Sequence, residues 1–246
     1  MKSVRYAARV AAGVLLVVGL TSPSLFAAEE DRLLGGGIAD IVETGGAVMV
    51  VILAGSVVGL ALALERFVSL RASNLVPKSY ADALREAAGR DDVGALGTLA
   101  REGKGPLARI LEAGFRVGRG DPREMERAME SMGQHEIGRL KRPVRPLAII
   151  ATVAPLLGLL GTVLGMITTF NLLGGTSPAD RVETLAPGIG KALYTTAAGL
   201  CVAIPFVVLY HVLNGRIQRA AAEWGLIGTD VVAACAAARE GGKGAA

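Results

Sequence analysis

The sequence is poor in the residues that build catalytic, metal and disulfide sites. Its 246 residues include two cysteines and two histidines, and aromatic residues make up 4% of the chain. Two cysteines are too few for a disulfide scaffold or a cysteine zinc cluster. His135 and His211 stand apart from aspartate and cysteine partners. We therefore expect no metal site, no cofactor and no enzyme chemistry.

Charge is also scarce. Charged residues make up 20% of the chain and hydrophobic residues 52%. The net charge of +4 is spread along the chain, which gives no indication of nucleic-acid binding. The 33 glycines are typical of helices that pack closely in lipid. This balance predicts a membrane protein rather than a soluble domain.

The first 28 residues have the layout of a secretory signal peptide. Lys2, Arg5 and Arg9 give a basic start, and an apolar run of eleven residues follows over 10–20. This run is short for a membrane span and ends in a Ser-Pro-Ser break. Because Phe26 makes the cleavage site imperfect, an uncleaved anchor helix is the alternative.

Three longer apolar runs are long enough to cross a bilayer, which takes about 20 residues. They cover 45–64, 146–170 and 192–213, and His211 is their one side chain that could ionise. In lipid each run must be a helix, since no water is present to satisfy the backbone. The fold class is therefore all-α, a polytopic membrane protein with three transmembrane helices extended by cytosolic helices.

The distribution of basic residues predicts the orientation. The stretch 29–44 holds one arginine against five carboxylates, whereas basic residues follow the first run and precede the second. Basic residues near span ends stay inside, so the amino terminus lies outside and the carboxyl terminus lies in the cytosol. Cys201 then lies in lipid and Cys235 in the reducing cytosol, and no disulfide is expected.

The segments follow from these bounds. They are a signal peptide over 1–28, a periplasmic segment over 29–44, a first span over 45–65, a cytosolic helical region over 66–145, a second span over 146–170, a periplasmic loop over 171–190, a third span over 191–213, and a cytosolic helix and tail over 214–246.

The cytosolic region carries helix-start signals. Pro77 opens a helix that ends near Gly89, and Asp91 or Asp92 caps a second. Pro106 opens a third. Asp121, with Pro122 in the first turn and Glu124 after it, starts a fourth that runs toward the second span, where Pro143 and Pro146 are kinks or breaks. The tail over 214–238 extends the third span.

Small residues form one face of each of the last two spans. On the second span these are Ala151, Ala154, Gly158, Gly161 and Gly165, and on the third they are Ala192, Thr196, Gly199 and Ala203. Such a face lets another helix approach closely in lipid. Before the third span, residues 186–190 are expected to break the chain and to place Lys191 near the outer surface.

A second stripe on the second span holds Pro155, Thr162 and Thr169, seven residues apart. A threonine in a membrane helix usually bonds to a carbonyl one turn earlier. The alternative is that Thr162 and Thr196 line a polar path. Pro155 and Pro205 either simply kink their helices or leave backbone carbonyl groups unbonded, so that these carbonyls could face a pore.

Acidic residues are absent from the second and third spans. A proton path needs a titratable group within the membrane, and a hydroxyl does not titrate near neutral pH. If ions cross here, the carboxylate must come from another polypeptide.

The chain resembles the ExbB/TolQ/MotA proton-channel family. Within this family it resembles the ExbB-like biopolymer-transport branch most. The resemblance rests on APLLGLLGTVLG at 154–165, PGIGKALYTTAAGL at 187–200, AIP at 203–205 and LERF at 64–67. Together with the order of the spans, the resemblance covers the chain from about residue 40 to residue 220.

The resemblance implies a homopentameric ring in the bacterial inner membrane. The pore of this ring would hold a single-span partner resembling ExbD or TolR, whose membrane aspartate carries the proton. Motion of the partner helices would in turn drive a TonB-like protein. Thr162 and Thr196 match the family's pore threonines. Many members carry glutamate at the position of Lys191, which here would snorkel to the interface or contact a partner's acid.

Two alternatives stay open. Lys191 favours a non-conducting scaffold of an envelope complex, and a TolQ-like subunit for envelope maintenance is the other. A solute transporter would need internal repeats, and the sequence has none.

Overall fold

The computed structural model describes residues 38–117, 121–173 and 181–243, and these are almost entirely helical. The described helices are α1 (Ile38–Ser69), α2 (Ala72–Leu75), α3 (Lys78–Gly89), α4 (Val93–Glu102), α5 (Pro106–Val117), α6 (Pro122–Lys141), α7 (Arg145–Leu173) and α8 (Arg181–Lys243). Contacts divide the described residues into two units: unit 1 has those within 38–63 and 146–212, and unit 2 has those within 64–145 and 213–243.

Three of these helices are long and apolar enough to cross a membrane, as predicted. The matching helical stretches are Gly46–Ser69, Pro122–Leu173 and Leu185–Glu240. The all-α prediction is confirmed for the described residues. The signal peptide predicted over 1–28 lies outside them, as do residues 29–37 and 174–180.

The predicted helix starts in unit 2 are confirmed. The Asp92 carboxylate accepts a hydrogen bond from the Ala95 amide at 2.9 Å, and the Asp121 carboxylate accepts one from the Arg123 amide at 3.0 Å. Each bond satisfies an amide that has no partner within its own helix. A 3₁₀ turn over Arg142–Val144 separates α6 from α7, where Pro143 was expected to kink or break the helix.

The start of α8 differs from the prediction. The helix begins at Arg181 and continues through Pro187, so the chain break expected at 186–190 is wrong. A proline inside a helix removes one hydrogen bond and bends the axis without having to end it. Gly188 lies against Thr169 of α7, and this close contact supports the extra turns. The periplasmic placement of 171–190 stays a prediction.

Gly46 interrupts α1 at the start of the first predicted span. Its backbone has φ 62° and ψ −160°, outside the helical region. A side chain at this combination would clash with its own backbone, and glycine adopts it because it has none. The apolar helix of α1 therefore runs regularly only after residue 46.

Unit 1 is built on an antiparallel contact between α7 and α8. A Cβ added at Gly165 would lie 2.8 Å from Ala192 Cβ, whereas one added at Gly199 would lie 2.5 Å from the Ala154 carbonyl oxygen. Residues with lower numbers on α7 contact residues with higher numbers on α8, so the two helices are antiparallel. Gly59 brings α1 to the same unit, since a Cβ there would lie 2.7 Å from the Phe206 ring.

The core of unit 2 is made of leucines from its short helices, together with the tail of α8. The leucines are Leu84, Leu96, Leu107 and Leu111, all 1% exposed or less. Trp224 of α8 donates from Nε1 to the Leu75 carbonyl at 3.2 Å. The Tyr80 hydroxyl donates to the Leu99 carbonyl at 2.9 Å, and burial raises the pKa of Tyr80 to about 12.

The last four carbonyls of α1 are all hydrogen-bonded. A helix end leaves these groups without partners unless something outside the helix supplies them. The bonds are Leu70 N to Arg66 O at 2.9 Å, Arg216 Nη1 to Phe67 O at 3.2 Å, Arg71 N to Val68 O at 3.4 Å, and Asn74 Nδ2 to Ser69 O at 3.3 Å. A distant arginine on α8 thus completes this helix end.

An ion pair between a buried carboxylate and a partly exposed arginine joins α5 to α6 in unit 2. Arg109 donates from Nε to Glu136 Oε1 at 2.8 Å and from Nη2 to Oε2 at 2.7 Å. The Glu136 side chain is 2% exposed, and Arg139 adds a longer contact at 3.7 Å. The hydrogen bonds from Arg109 hold the pKa of Glu136 below its ordinary value.

We expect Arg109→Ala to lower the free energy of unfolding by about 3 kcal/mol at pH 7, because it leaves a buried carboxylate without its main partner. Denaturant unfolding in mixed micelles measures this. The difference in unfolding free energy should shrink below about pH 4. There the Glu136 carboxyl takes up a proton in the unfolded chain but stays ionised in the native protein, so the ion pair stabilises the fold less. Arg90→Ala, which breaks an exposed pair with Glu86, should cost less than about 1 kcal/mol. Equal losses for the two variants would contradict the assignment.

We also expect Gly199→Ala to destabilise the protein by about 1–3 kcal/mol, because the added methyl group meets backbone that cannot rotate away. The control is Gly190→Ala on the same helix, where an added Cβ has no atom within 4 Å. That change should be neutral or stabilise by up to about 1 kcal/mol. Thermal unfolding in detergent gives both values, and a neutral Gly199→Ala would exclude a tight seam.

Candidate functional site

The small-residue faces predicted from the sequence meet each other within one chain. A Cβ added at Gly158 would lie 2.8 Å from the Thr195 carbonyl oxygen, and one at Gly161 would lie 2.5 Å from Thr195 Oγ1. Gly165 and Gly199 make the contacts described above, and Ala192 and Ala203 are buried. Five of the six predicted packing residues therefore lie on the α7–α8 seam, and the sixth, Ala203, is buried on α8. Packing against the helix of a separate partner stays a prediction for them.

Thr162 and Thr169 satisfy their hydroxyl groups within α7. Thr162 Oγ1 donates to the Leu159 carbonyl at 2.7 Å, and Thr169 Oγ1 donates to the Gly165 carbonyl at 2.8 Å. Both side chains are buried. This is the local bonding that threonine commonly makes in membrane helices, and it leaves each hydroxyl able to accept a further hydrogen bond.

Thr195 is the site residue that the sequence did not single out. Its side chain is 2% exposed. Its hydroxyl lies 2.7 Å from the Ala192 carbonyl and 3.2 Å from the Gly158 carbonyl, so it bridges α8 to α7. A spacing of three or of four residues from Ala192 fits one helix face equally well. The pattern alone therefore could not distinguish Thr195 from Thr196.

Thr196 differs from the other three threonines of the seam. A Cβ added at Gly158 would lie 2.9 Å from Thr196 Cα, so the residue lies beside α7. Its Oγ1 is buried, yet within the part of the chain that the structure describes it has no hydrogen-bond partner. A buried hydroxyl without a partner is costly, and such groups are usually explained by water or by a binding partner.

Two further predicted residues lie on the same helices. Pro155 is half-buried inside α7 and has no amide hydrogen, so the Ala151 carbonyl has no partner one turn later in the helix. Lys191 is exposed on α8, one residue before the buried Ala192. The proline thus removes one hydrogen bond from the interior of α7.

The chemistry available here is hydrogen bonding without titration. The second and third predicted spans hold no aspartate or glutamate. Among the described residues there is no group of three histidine, cysteine or acidic side chains that could hold a metal ion. The threonine hydroxyls can bind water or a carboxyl group, but they neither take up nor release a proton near neutral pH.

The comparison with protein families identifies one match, and it includes both helices of this site. The model of the MotA/TolQ/ExbB proton channel family matches residues 102–226, just over half of the chain. The match therefore extends from the end of α4 through α5, α6 and α7 into the middle of α8.

Similar proteins carry matching names. A Synechocystis protein named biopolymer transport ExbB-like 1 is 44% identical over 110 residues, which are 44% of this chain and 43% of that protein. An ExbB homologue from Methanothermobacter thermautotrophicus is 34% identical over 187 residues, 74% of this chain and 65% of that protein. The Tol-Pal system protein TolQ of Haemophilus influenzae is 40% identical over 99 residues, 40% of this chain and 43% of TolQ.

The matched segments thus span between 43% and 65% of these three relatives. The family model covers more than half of the chain, and the motifs it covers include both threonine-bearing helices. The chain, which has three long apolar helices among its described residues, belongs to the MotA/TolQ/ExbB proton channel family.

Proposed function

We propose that the chain is the ring-forming subunit of a proton-driven motor in the bacterial inner membrane. The single observation that carries the proposal is the buried Thr196 hydroxyl, which has no hydrogen-bond partner among the described residues and lies in the third predicted span, which like the second holds no aspartate or glutamate. A group of this kind suits a transient hydrogen bond to a carboxyl group or a water molecule that arrives from elsewhere.

The carboxyl group comes from a second protein in this proposal. A single-span partner resembling ExbD or TolR would place its membrane aspartate near Thr196 and Thr162. Thr196 would donate to the ionised form of that acid, whereas Thr162, already donating to Leu159, would accept from the protonated form. Each proton that moves inward releases about 2.3 kcal/mol of free energy per 100 mV of membrane potential, and this is the work available per step.

The surfaces of the apolar helices support assembly with further copies. Large apolar side chains are exposed on α7, among them Leu156 at 63% and Phe170 at 60%. Apolar surface of this extent needs lipid or protein to cover it. A homopentamer with the amino terminus in the periplasm and the carboxyl terminus in the cytosol is the arrangement we propose, with Lys191 near the outer face as a partner contact.

The driven partner is a TonB-like protein in this proposal, and the cargo crosses the outer membrane. The similarity to TolQ of Haemophilus influenzae favours a second candidate, a TolQ-like subunit that maintains the cell envelope. A deletion strain distinguishes the two. Loss of energised uptake through outer-membrane receptors supports the first role, and detergent sensitivity with intact uptake supports the second.

We expect Thr196→Val to slow proton flux about tenfold, which corresponds to losing one hydrogen bond worth about 1–2 kcal/mol. Thr196→Ser, which keeps the hydroxyl, should retain most of the flux. The measurement is dye-monitored proton uptake by proteoliposomes that contain the chain with its single-span partner. Thr168→Val, which removes an exposed hydroxyl bonded to the Leu164 carbonyl, is the matched control.

A non-conducting scaffold makes the opposite prediction. If the wild-type complex shows no flux above that of empty vesicles, or if Thr196→Val and Thr168→Val behave alike, the channel proposal fails. Thermal unfolding of each variant separates lost flux from lost folding.

A further inference from the structure

Three arginines of unit 2, Arg71, Arg216 and Arg219, lie near the carboxyl end of α1. Arg71 follows the last residue of α1 by two positions and its amide donates to the Val68 carbonyl at 3.4 Å, and Arg219 lies one turn after Arg216 on α8. Arg216 of α8 donates to the Phe67 carbonyl, and its guanidinium carbon lies 4.1 Å from the centre of the Phe67 ring. Burial, and then the positive charges of Arg219 and Arg71, lower the pKa of Arg216. The side chains of Arg71 and Arg219 are exposed.

Arg216 has a structural reason to be there. It completes the hydrogen bonding of the α1 carbonyls, and the carboxyl end of a helix carries a partial negative charge that favours a cation. Its contact with the aromatic ring adds a cation–π attraction. One positive charge is therefore matched by the fold itself.

No comparable contact within the described residues accounts for the positions of Arg71 and Arg219. The side chain of neither arginine makes a described hydrogen bond, and no carboxylate among the described residues forms an ion pair with any of the three arginines. Two nearby acids are engaged elsewhere, Glu65 with Arg66 and Glu223 with Arg85. Like charges placed together are unfavourable unless an anion lies between them or beside them.

The place of the cluster in the sequence indicates which anion is available. Arg71 follows the first predicted span by six residues, and Arg216 follows the third by three. In the proposed orientation both positions lie at the cytosolic face of the bilayer, where anionic lipid headgroups are concentrated. Arginine guanidinium groups bind phosphate oxygens in a bidentate manner.

We propose that Arg71, Arg216 and Arg219 form a binding site for the phosphate group of an anionic phospholipid. Arg216 is held in place by Phe67 and supplies a fixed donor, and the two exposed arginines supply further donors to the same phosphodiester. The site rests on the proposed membrane orientation, but it requires neither proton flux nor a partner protein.

Native mass spectrometry of the full chain in detergent tests the site, with phosphatidylglycerol or phosphatidylcholine added. We expect the wild type to prefer phosphatidylglycerol. The double variant Arg71→Gln/Arg219→Gln, which leaves Arg216 on its helix end, should weaken phosphatidylglycerol binding at least about tenfold. Arg219→Gln alone should give a smaller loss. Thermal unfolding without lipid should be unchanged in both variants, since neither side chain has a described contact.

The matched control is Arg123→Gln/Arg127→Gln, which removes the same charge from two exposed arginines of α6 that form no described ion pair. Its lipid binding should equal that of the wild type. Equal weakening in both double variants would show general charge attraction and overturn the proposal, as would equal binding of the two lipids.

A third arm distinguishes the source of the phosphate. Inorganic phosphate or glycerol phosphate at millimolar concentration should leave the bound phosphatidylglycerol in place, because the acyl chains add contact with the apolar helices. If inorganic phosphate displaces the lipid and protects the wild type against thermal unfolding to the same extent, the site serves a soluble anion and the lipid assignment is wrong. Because the isolated subunit is used, the result is independent of the channel proposal.

Discussion

The close approach of two helix backbones at Gly158 and Gly199 determines where the polar groups of the candidate site can lie. In lipid, helices gain nothing from burying apolar surface against each other, because the acyl chains are equally apolar. Van der Waals contact between small residues holds α7 and α8 together instead, along with the hydrogen bond from Thr195 to the Gly158 carbonyl. At these positions α8 lies so near α7 that even one methyl group would meet backbone atoms. Glycine is therefore the residue that fits at these two positions.

Hydroxyls in that seam have different roles because they have different partners. Thr162, Thr169 and Thr195 bond to carbonyl groups of the chain, so they contribute to the packing of the helices. The Thr196 hydroxyl has no such bond within the described residues. A proton channel needs a titrating acid as well as hydrogen-bonding groups. In the proposed motor, the chain supplies the hydrogen-bonding groups in its last two predicted spans, which hold no aspartate or glutamate, and the single-span partner supplies the acid.

The features predicted correctly from the sequence are those set by neighbouring residues. Apolar run length indicated the three long helices, and Asp92 and Asp121 marked two helix starts, because a cap acts within one turn. The sequence failed where a distant contact decides. The pair of Arg109 and Glu136 joins residues 27 apart, and Arg216 meets a carbonyl 149 residues away. Similarly, the choice between Thr195 and Thr196 depends on which of them faces α7, and this is a property of the helix pair rather than of either helix alone.

The single tryptophan of the chain, Trp224, is 3% exposed and belongs to unit 2. Its indole is buried and donates to a backbone carbonyl, and a buried indole emits at shorter wavelength than one in water. Intrinsic fluorescence excited at the red edge of absorption therefore observes unit 2 alone, whereas the threonine seam of unit 1 is invisible to it. A spectroscopist can follow one half of this molecule through a titration without attaching any label.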